Sequence, residues 1–144
     1  MIQNDIKKIV EDLIETFLDA GKISLDLRKK GLTKEIKSDN TPVSNGDLEV
    51  NKILTKRISE LTPNIPIVSE ETSDNKSRNN LENFWLIDPI DGTYDYINNL
   101  DEFTINAGLI IQKKPAAGLI YAPAKNRMFY SYGDDLSFEL ISGK

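Results

Sequence analysis

With 144 residues, 39% hydrophobic and 28% charged, the chain is long enough to bury one core and too short for a large two-domain enzyme. Its net charge of −5 and its lack of a dense lysine and arginine cluster argue against a nucleic-acid polymer as ligand, yet leave room for a small phosphorylated molecule whose charge divalent cations can offset. With no cysteine and no histidine there can be no disulfide, thiolate nucleophile, Ser-His-Asp triad or imidazole zinc site, so a bound metal must sit among oxygen ligands, which favours Mg²⁺, Mn²⁺ or Ca²⁺.

Ile6, Ile9, Val10, Leu13, Ile14, Phe17 and Leu18 recur at helical spacing and predict a long amphipathic first helix that reaches Leu25–Leu27 and stops before Gly31. Its acids exclude a signal peptide, and no apolar run is of membrane-spanning length, so the expectation is a cytoplasmic protein without membrane insertion. Thr33–Ile36 reads as a short strand and residues 38–44 as a turn. Ser44 and Asp47 then form a capping-box pair at the start of a second helix, with Leu48, Ile53, Leu54, Ile58 and Leu61 on its buried face. From Pro63 the pattern changes to strands: Ile65–Ser69, Phe84–Asp88, Ile105–Ile111, Gly118–Tyr121, Met128–Tyr132 and Ser137–Leu140. A polar loop fills Thr72–Asn80, and Gln112–Pro115 reads as a turn. Two helices followed by a meander predict an α+β fold, the helices packed on a mostly antiparallel sheet.

The segment that carries chemistry is Trp85-Leu86-Ile87-Asp88-Pro89-Ile90-Asp91-Gly92-Thr93. An apolar strand delivers Asp88 to its end, Pro89 forces a turn, and Asp91 follows three residues on. Such a turn can aim two carboxylates and the Ile90 carbonyl at one point, the oxygen set that hard cations take. Gly92 permits a close backbone approach, and Thr93 stands where a helix could begin and expose amides to phosphate. Taken singly, Asp-Pro and Asp-Gly are ordinary turn dipeptides, and the acids at alternate positions that an EF-hand loop needs are missing. A second acidic element changes the balance, because Ile65–Ser69 runs directly into Glu70-Glu71. If the two strands are neighbours, Glu70, Asp88 and Asp91 converge, and their mutual repulsion is naturally relieved by cations.

Taken together, an acid after a Pro-Val-Ser turn (Asp47), the Glu70-Glu71 pair and the Asp88–Thr93 string resemble the motifs of the inositol monophosphatase superfamily, in its order and at its spacing, over Lys37–Tyr132. The resemblance implies a magnesium-dependent phosphomonoesterase. Residues 1–144 would be its N-terminal metal-binding domain, the first half of a layered sugar-phosphatase fold, with the C-terminal domain absent. Glu70, Asp88, Asp91 and the Ile90 carbonyl would hold two or three Mg²⁺ ions in the intact enzyme. Asp47 would accept a hydrogen bond from Thr93, whose hydroxyl orients the attacking water. Glu70, Ile90, Asp91, Gly92 and Thr93 would surround the substrate phosphate, the last two through their amides.

Glu102-Phe103-Thr104-Ile105-Asn106, Gly118–Pro123 and Lys37–Val43 are more similar to the bacterial bisphosphate nucleotidase branch, which implies adenosine 3′,5′-bisphosphate as substrate, with inositol monophosphate or a fructose bisphosphate as alternatives. Taken singly, Phe103 and Ile105 read equally well as core. Two departures stand out: Tyr94-Asp95-Tyr96 replaces the lysine-acid-phenylalanine frequent after Asp-Gly-Thr in that branch, and Gly46 is unusual where a helix begins. The family's second domain supplies a Trp-Asp pair that completes the metal site, whereas the single tryptophan here is Trp85. Two expectations of different class follow. One is a phosphatase, or half of one. The other is a catalytically silent module that binds metal or phosphate, or pairs with a partner chain, and self-associates through the face a second domain would cover.

Overall fold

A computed structural model describes residues 3–69, 81–133 and 137–141. Helix α1 (Gln3–Lys30) begins with Asp5 and ends with Arg28, Lys29 and Lys30, charges that complement the helix dipole at both ends. Its buried residues Ile6, Val10, Leu13, Phe17 and Ala20 follow one another at steps of four or three. Ser24 continues that stripe as a buried polar residue, its hydroxyl turned back to the Gly21 carbonyl at 2.6 Å. The helix lies close on the sheet at Gly21, where a methyl group would come within 2.3 Å of the Tyr121 ring.

Strands β1 (Lys34–Ile36) and β2 (Pro42–Ser44) form an antiparallel hairpin, with Lys34 opposite Ser44. The turn expected over residues 38–44 is therefore shorter than its composition suggests, and its last three residues are strand. Within the turn, the Asp39 carboxylate accepts from the Thr41 hydroxyl at 2.6 Å and the Thr41 amide at 3.1 Å. Those bonds hold it below the usual carboxylate range. Helix α2 (Asn45–Leu61) starts at the anticipated capping box, and its buried stripe is Asp47, Val50, Asn51, Leu54 and Ile58. Leu48, expected inside, is 49% exposed. At about 100° per residue, Asp47, Val50, Asn51, Leu54 and Ile58 share one stripe, and Leu48 falls beyond its edge.

Among the described residues the main sheet has six strands in sequential order: β3 (Ile67–Ser69), β4 (Phe84–Asp91), β5 (Thr104–Ile111), β6 (Lys114–Ala122), β7 (Arg127–Ser131) and β8 (Ser137–Ile141). β3 and β4 pair in parallel, with Ser69 opposite Ile87, and the later pairings among the described strands are antiparallel. A short third helix, α3 (Thr93–Ile97), lies between β4 and β5. The expected turn at Gln112–Pro115 contracts to Gln112 and Lys113, both with positive φ, and Ile111 faces Lys114 across it. That is the two-residue hairpin geometry that matches strand twist, so Lys114 and Pro115 belong to β6. The loop expected over Thr72–Asn80 lies outside the described residues.

Burial alternates along the strands, and one sheet face packs on α1 and α2. Trp85 and Ile87 of β4, Ile105 and Leu109 of β5, Leu119 of β6 and Met128 of β7 join Phe17, Leu54 and Ile58 in one core. On the other face Leu86, Ile110, Ile120 and Phe129 line a groove of about 590 Å³ that reaches Asp88. Ile120 and Phe129 remain 48% and 43% exposed there. None of the described helices is long and apolar enough to cross a membrane.

The sole tryptophan is tied into this core by polar contacts. Its indole Nε1 donates to the Thr62 hydroxyl at 3.0 Å, and that hydroxyl donates to the Ile58 carbonyl at 2.8 Å. Replacing Thr62 with valine would leave a buried N–H without an acceptor. Thr62→Val should therefore lower stability by about 1–3 kcal/mol. Urea unfolding followed by Trp85 fluorescence measures this directly, and an unchanged midpoint would refute it.

Candidate active site

The Asp88–Thr93 segment is shaped by a change of register rather than by the end of a strand. Asp88 pairs with Asn106 and Asp91 with Thr104, so three steps along β4 match two along β5. The sequence suggests that Pro89 stops the strand in a turn; instead β4 continues to Asp91 through a bulge. A bulge leaves one residue outside the ladder, which suits a proline that has no N–H to give, and it turns neighbouring side chains away from strict alternation. Ile90 is buried in the core, Asp88 is half-buried beside the groove, and Asp91 is exposed.

Gly92 follows with φ +88° and ψ +41°, a left-handed conformation that ends β4 and starts α3. The chain is crowded there, since a Cβ on Gly92 would stand 2.9 Å from the Glu102 carbonyl oxygen. Both sterics and backbone preference thus require glycine.

The structure brings Asp47 and Thr93 together, although 46 residues separate them. The Asp47 carboxylate is fully buried at the first turn of α2. One oxygen, Oδ2, accepts from the Ser44 amide at 2.9 Å and the Ser44 hydroxyl at 2.5 Å. The other, Oδ1, accepts from the Thr93 hydroxyl at 2.7 Å. The same Thr93 hydroxyl lies 3.1 Å from the Ile90 carbonyl. A hydroxyl has one proton, and the nearer, charged acceptor takes it. Towards any further group, then, Thr93 Oγ1 can act only as an acceptor.

Asp88, Asp91 and the Ile90 carbonyl are hard oxygen donors of the type that suits a magnesium-like cation. Glu70 and Glu71 lie outside the described residues, and among the described residues no three acidic side chains gather into a metal site. Ser69, the last described residue of β3, is fully buried, and its hydroxyl donates to Asn51 Oδ1. That contact ties the end of β3 to α2. Asn51 was not marked by the sequence as important; it lies one helical turn beyond Asp47, the signal that could have revealed it.

Tyr96 is a second residue the sequence noted only as a departure from pattern. It is fully buried, and its hydroxyl donates to the Ser24 carbonyl of α1 at 2.6 Å. Its ring lies 4.8 Å from that of Phe103, and the Arg28 guanidinium sits 5.7 Å from the Tyr96 centroid and 5.0 Å from that of Phe103. Arg28 also donates to the Leu100 carbonyl at 2.7 Å and pairs with Asp101 at 3.3 Å. Burial, followed by the nearby Asp47 charge, pushes the Tyr96 phenol above its ordinary range and keeps it a donor. Phe103 and Ile105, which the sequence left open between motif and core, are both core.

Helices packed on one face of a mixed sheet, with this aspartate–threonine pair beside an Asp-Pro-Ile-Asp-Gly-Thr bulge, define a class. The chain belongs to the inositol monophosphatase family, whose sequence pattern matches residues 5–136. It is 37% identical over 122 residues to the 3′(2′),5′-bisphosphate nucleotidase CysQ of Haemophilus influenzae, an alignment that covers 83% of this chain and 45% of that protein. The fold is also that of the suhB protein of Bartonella henselae, with TM-score 0.81 at 22% identity over 92% of this chain and 52% of the other. CysQ from Bacteroides thetaiotaomicron aligns with TM-score 0.65 at 25% identity, covering 90% of this chain and 47% of that one. The chain thus spans about half the length of the relatives it matches.

The Gly92 geometry leads to a second test. Gly92→Ala combines a strained φ with a contact against rigid backbone, and it should cost about 1–3 kcal/mol of stability. Chemical denaturation of the two proteins checks this, and equal midpoints would show that the turn relaxes freely.

Proposed function

We propose that this chain supplies the metal- and phosphate-binding half of a phosphomonoesterase that transfers phosphate from a small phosphorylated molecule to water. The observation that carries the reading is the Thr93 hydroxyl, donating to buried Asp47 while standing beside the Ile90 carbonyl. Because Asp47 takes the threonine proton, a water that hydrogen-bonds to Thr93 Oγ1 must donate to it, leaving a lone pair of the water's oxygen to face phosphorus. Fixing that orientation before reaction removes part of the entropic barrier. The amides of Gly92 and Thr93 are the candidate donors to the phosphate oxygens.

Asp88, Asp91, the Ile90 carbonyl and Glu70 are the residues that would hold Mg²⁺, which when bound supplies positive charge against the phosphate and lowers the pKa of water. The register of β3 supports including Glu70: Ser69 ends opposite Ile87, so the chain leaves β3 at the end of the sheet where Asp88 stands. The substrate we infer is a 3′(2′),5′-bisphosphorylated nucleoside such as adenosine 3′,5′-bisphosphate, supported by the names of the relatives above 35% identity. We also infer that residues 1–144 act as the N-terminal domain of the family's two-part fold, in which the other part closes the cleft. A second reading, a module that binds metal or phosphate without turnover, is supported by the chain spanning about half the length of the relatives it matches.

Calorimetric titration with Mg²⁺, and magnesium-dependent phosphate release from adenosine 3′,5′-bisphosphate, inositol monophosphate and fructose bisphosphate, separate the two readings. Both measurements should be made on this chain and on any longer form of the protein. The phosphatase reading expects turnover in the longer form and little in the 144-residue chain, whereas metal binding without turnover in either would support the silent module. In an active form, adenosine 3′,5′-bisphosphate should exceed inositol monophosphate in kcat/KM by at least about tenfold. Equal rates would reject the nucleotidase assignment alone.

Two substitutions test the roles of the residues. Asp91→Asn should reduce turnover by about two orders of magnitude or more. Thr93→Ala should lower kcat while leaving Mg²⁺ affinity nearly intact, because its role is to orient water. Loss of metal binding in Thr93→Ala would instead make that residue a ligand or a structural cap.

A further inference from the structure

We infer that Tyr96 is a positioning residue, a wedge that sets the distance between Asp47 and Thr93 by packing directly on Gly46. The inference rests on the role proposed above for the Asp47–Thr93 pair, but it concerns geometry that can be read without any activity.

Asp47 and Thr93 sit on separate elements, the first turn of α2 and the start of α3. Their hydrogen bond at 2.7 Å therefore depends on how closely α3 approaches the beginning of α2. Tyr96 stands at that junction. It is on α3, three residues after Thr93, and its amide donates to the Gly92 carbonyl at 2.9 Å. Its ring meets α2 at Gly46, the residue before Asp47. A Cβ at position 46 would lie 2.2 Å from the Tyr96 hydroxyl oxygen and 2.6–2.7 Å from two ring carbons. No side chain fits between them, so the tyrosine ring rests against the backbone of α2.

A wedge works only if it is itself held. The Tyr96 hydroxyl is anchored to the Ser24 carbonyl, its ring is backed by Phe103, and the Arg28 guanidinium closes over both rings. Arg28 in turn holds the chain after α3 through the Leu100 carbonyl. All these contacts come from elements that carry none of the proposed metal ligands. The same arrangement accounts for Gly46 and for one part of the Tyr94-Asp95-Tyr96 departure: tyrosine at position 96 brings a hydroxyl, and glycine at position 46 leaves the space for it.

Three variants of this 144-residue chain, Gly46→Ala, Tyr96→Phe and the double variant, test the inference by NMR without metal, with Asp47→Ala as the reference for a broken Asp47–Thr93 bond. The readouts are the Thr93 methyl resonance, which senses whether its hydroxyl is bonded to Asp47, and amide hydrogen exchange at Asp47 and Tyr96. Exchange at Leu109 and Leu119 serves as the reference for the core. Gly46→Ala should shift the Thr93 methyl towards its position in Asp47→Ala and speed exchange at Asp47 and Tyr96 by about tenfold, with the core changed by less than about twofold. Tyr96→Phe, released from Ser24, should produce a smaller shift in the same direction. The double variant should lie nearer to wild type than Gly46→Ala, because an unanchored phenylalanine ring can slide away from the new methyl group; neighbours of this kind are not additive. If Gly46→Ala does not fold, the Tyr96→Phe shift still decides.

An unmoved Thr93 methyl in the single variants, or loosening at Leu109 and Leu119 in step with Asp47, would make Tyr96 an ordinary core residue and overturn the inference. Either outcome leaves the phosphatase reading to its own turnover test.

Discussion

The buried carboxylate of Asp47 is the constraint on which the site depends. An ionised carboxylate removed from water carries a large desolvation cost unless donors surround it. Here three donors do so: the amide and hydroxyl of Ser44, and the hydroxyl of Thr93. Two come from the residue that caps α2, so they form as the helix forms. The third comes from a segment 46 residues away and is available only once β4 and α3 are in place. The polar cost of burying Asp47 thus couples the start of α2 to the Asp88–Thr93 segment. A helix cap, ordinarily a local device, becomes part of the tertiary structure.

Around that link the strands arrange oxygen atoms. The parallel pairing of β3 with β4 and the bulge opposite β5 have different origins but act at the same end of the sheet. The bulge lets Pro89 sit without a ladder bond and places Asp91 outside while Ile90 packs inside. Left-handed Gly92 then reverses the chain so that Thr93 comes back beside the Ile90 carbonyl. A flat, regular strand would have put Asp88 and Ile90 on one face and Asp91 on the other. Irregularity here is what brings a carbonyl and a hydroxyl into one place.

The two faces of the sheet differ. Helices α1 and α2 cover one with a continuous core, while the other holds an apolar groove that reaches Asp88. The chain spans about half the length of its relatives, and Asp88, one of the proposed metal ligands, lies at the edge of this groove. Water has access to such an edge, and electrostatic interactions weaken as water enters. That is the physical reason for expecting the chain alone to be a poorer catalyst than a form in which the groove is covered.

Much of this architecture was legible in the sequence because its causes are local. The spacing of Ile6, Val10, Leu13 and Phe17 specifies α1, and the Ser44–Asp47 pair marks the start of α2. Alternation in Ile105–Ile111 marks β5, and the Asp88–Thr93 string, with Asp47 before it, carries the resemblance to the family that the chain belongs to. What depended on tertiary structure was every relation between segments. Leu48 turned outward because it lies beyond the edge of the stripe that α2 packs inward, and Pro89 entered a bulge because β5 continued the ladder beyond it. Tyr96 and Gly46 looked like departures from a pattern until α1, α2 and α3 were seen to meet there. Periodicity and capping are properties of a few consecutive residues; the fit of a phenol ring against a glycine fifty positions away is set only when the whole core has packed.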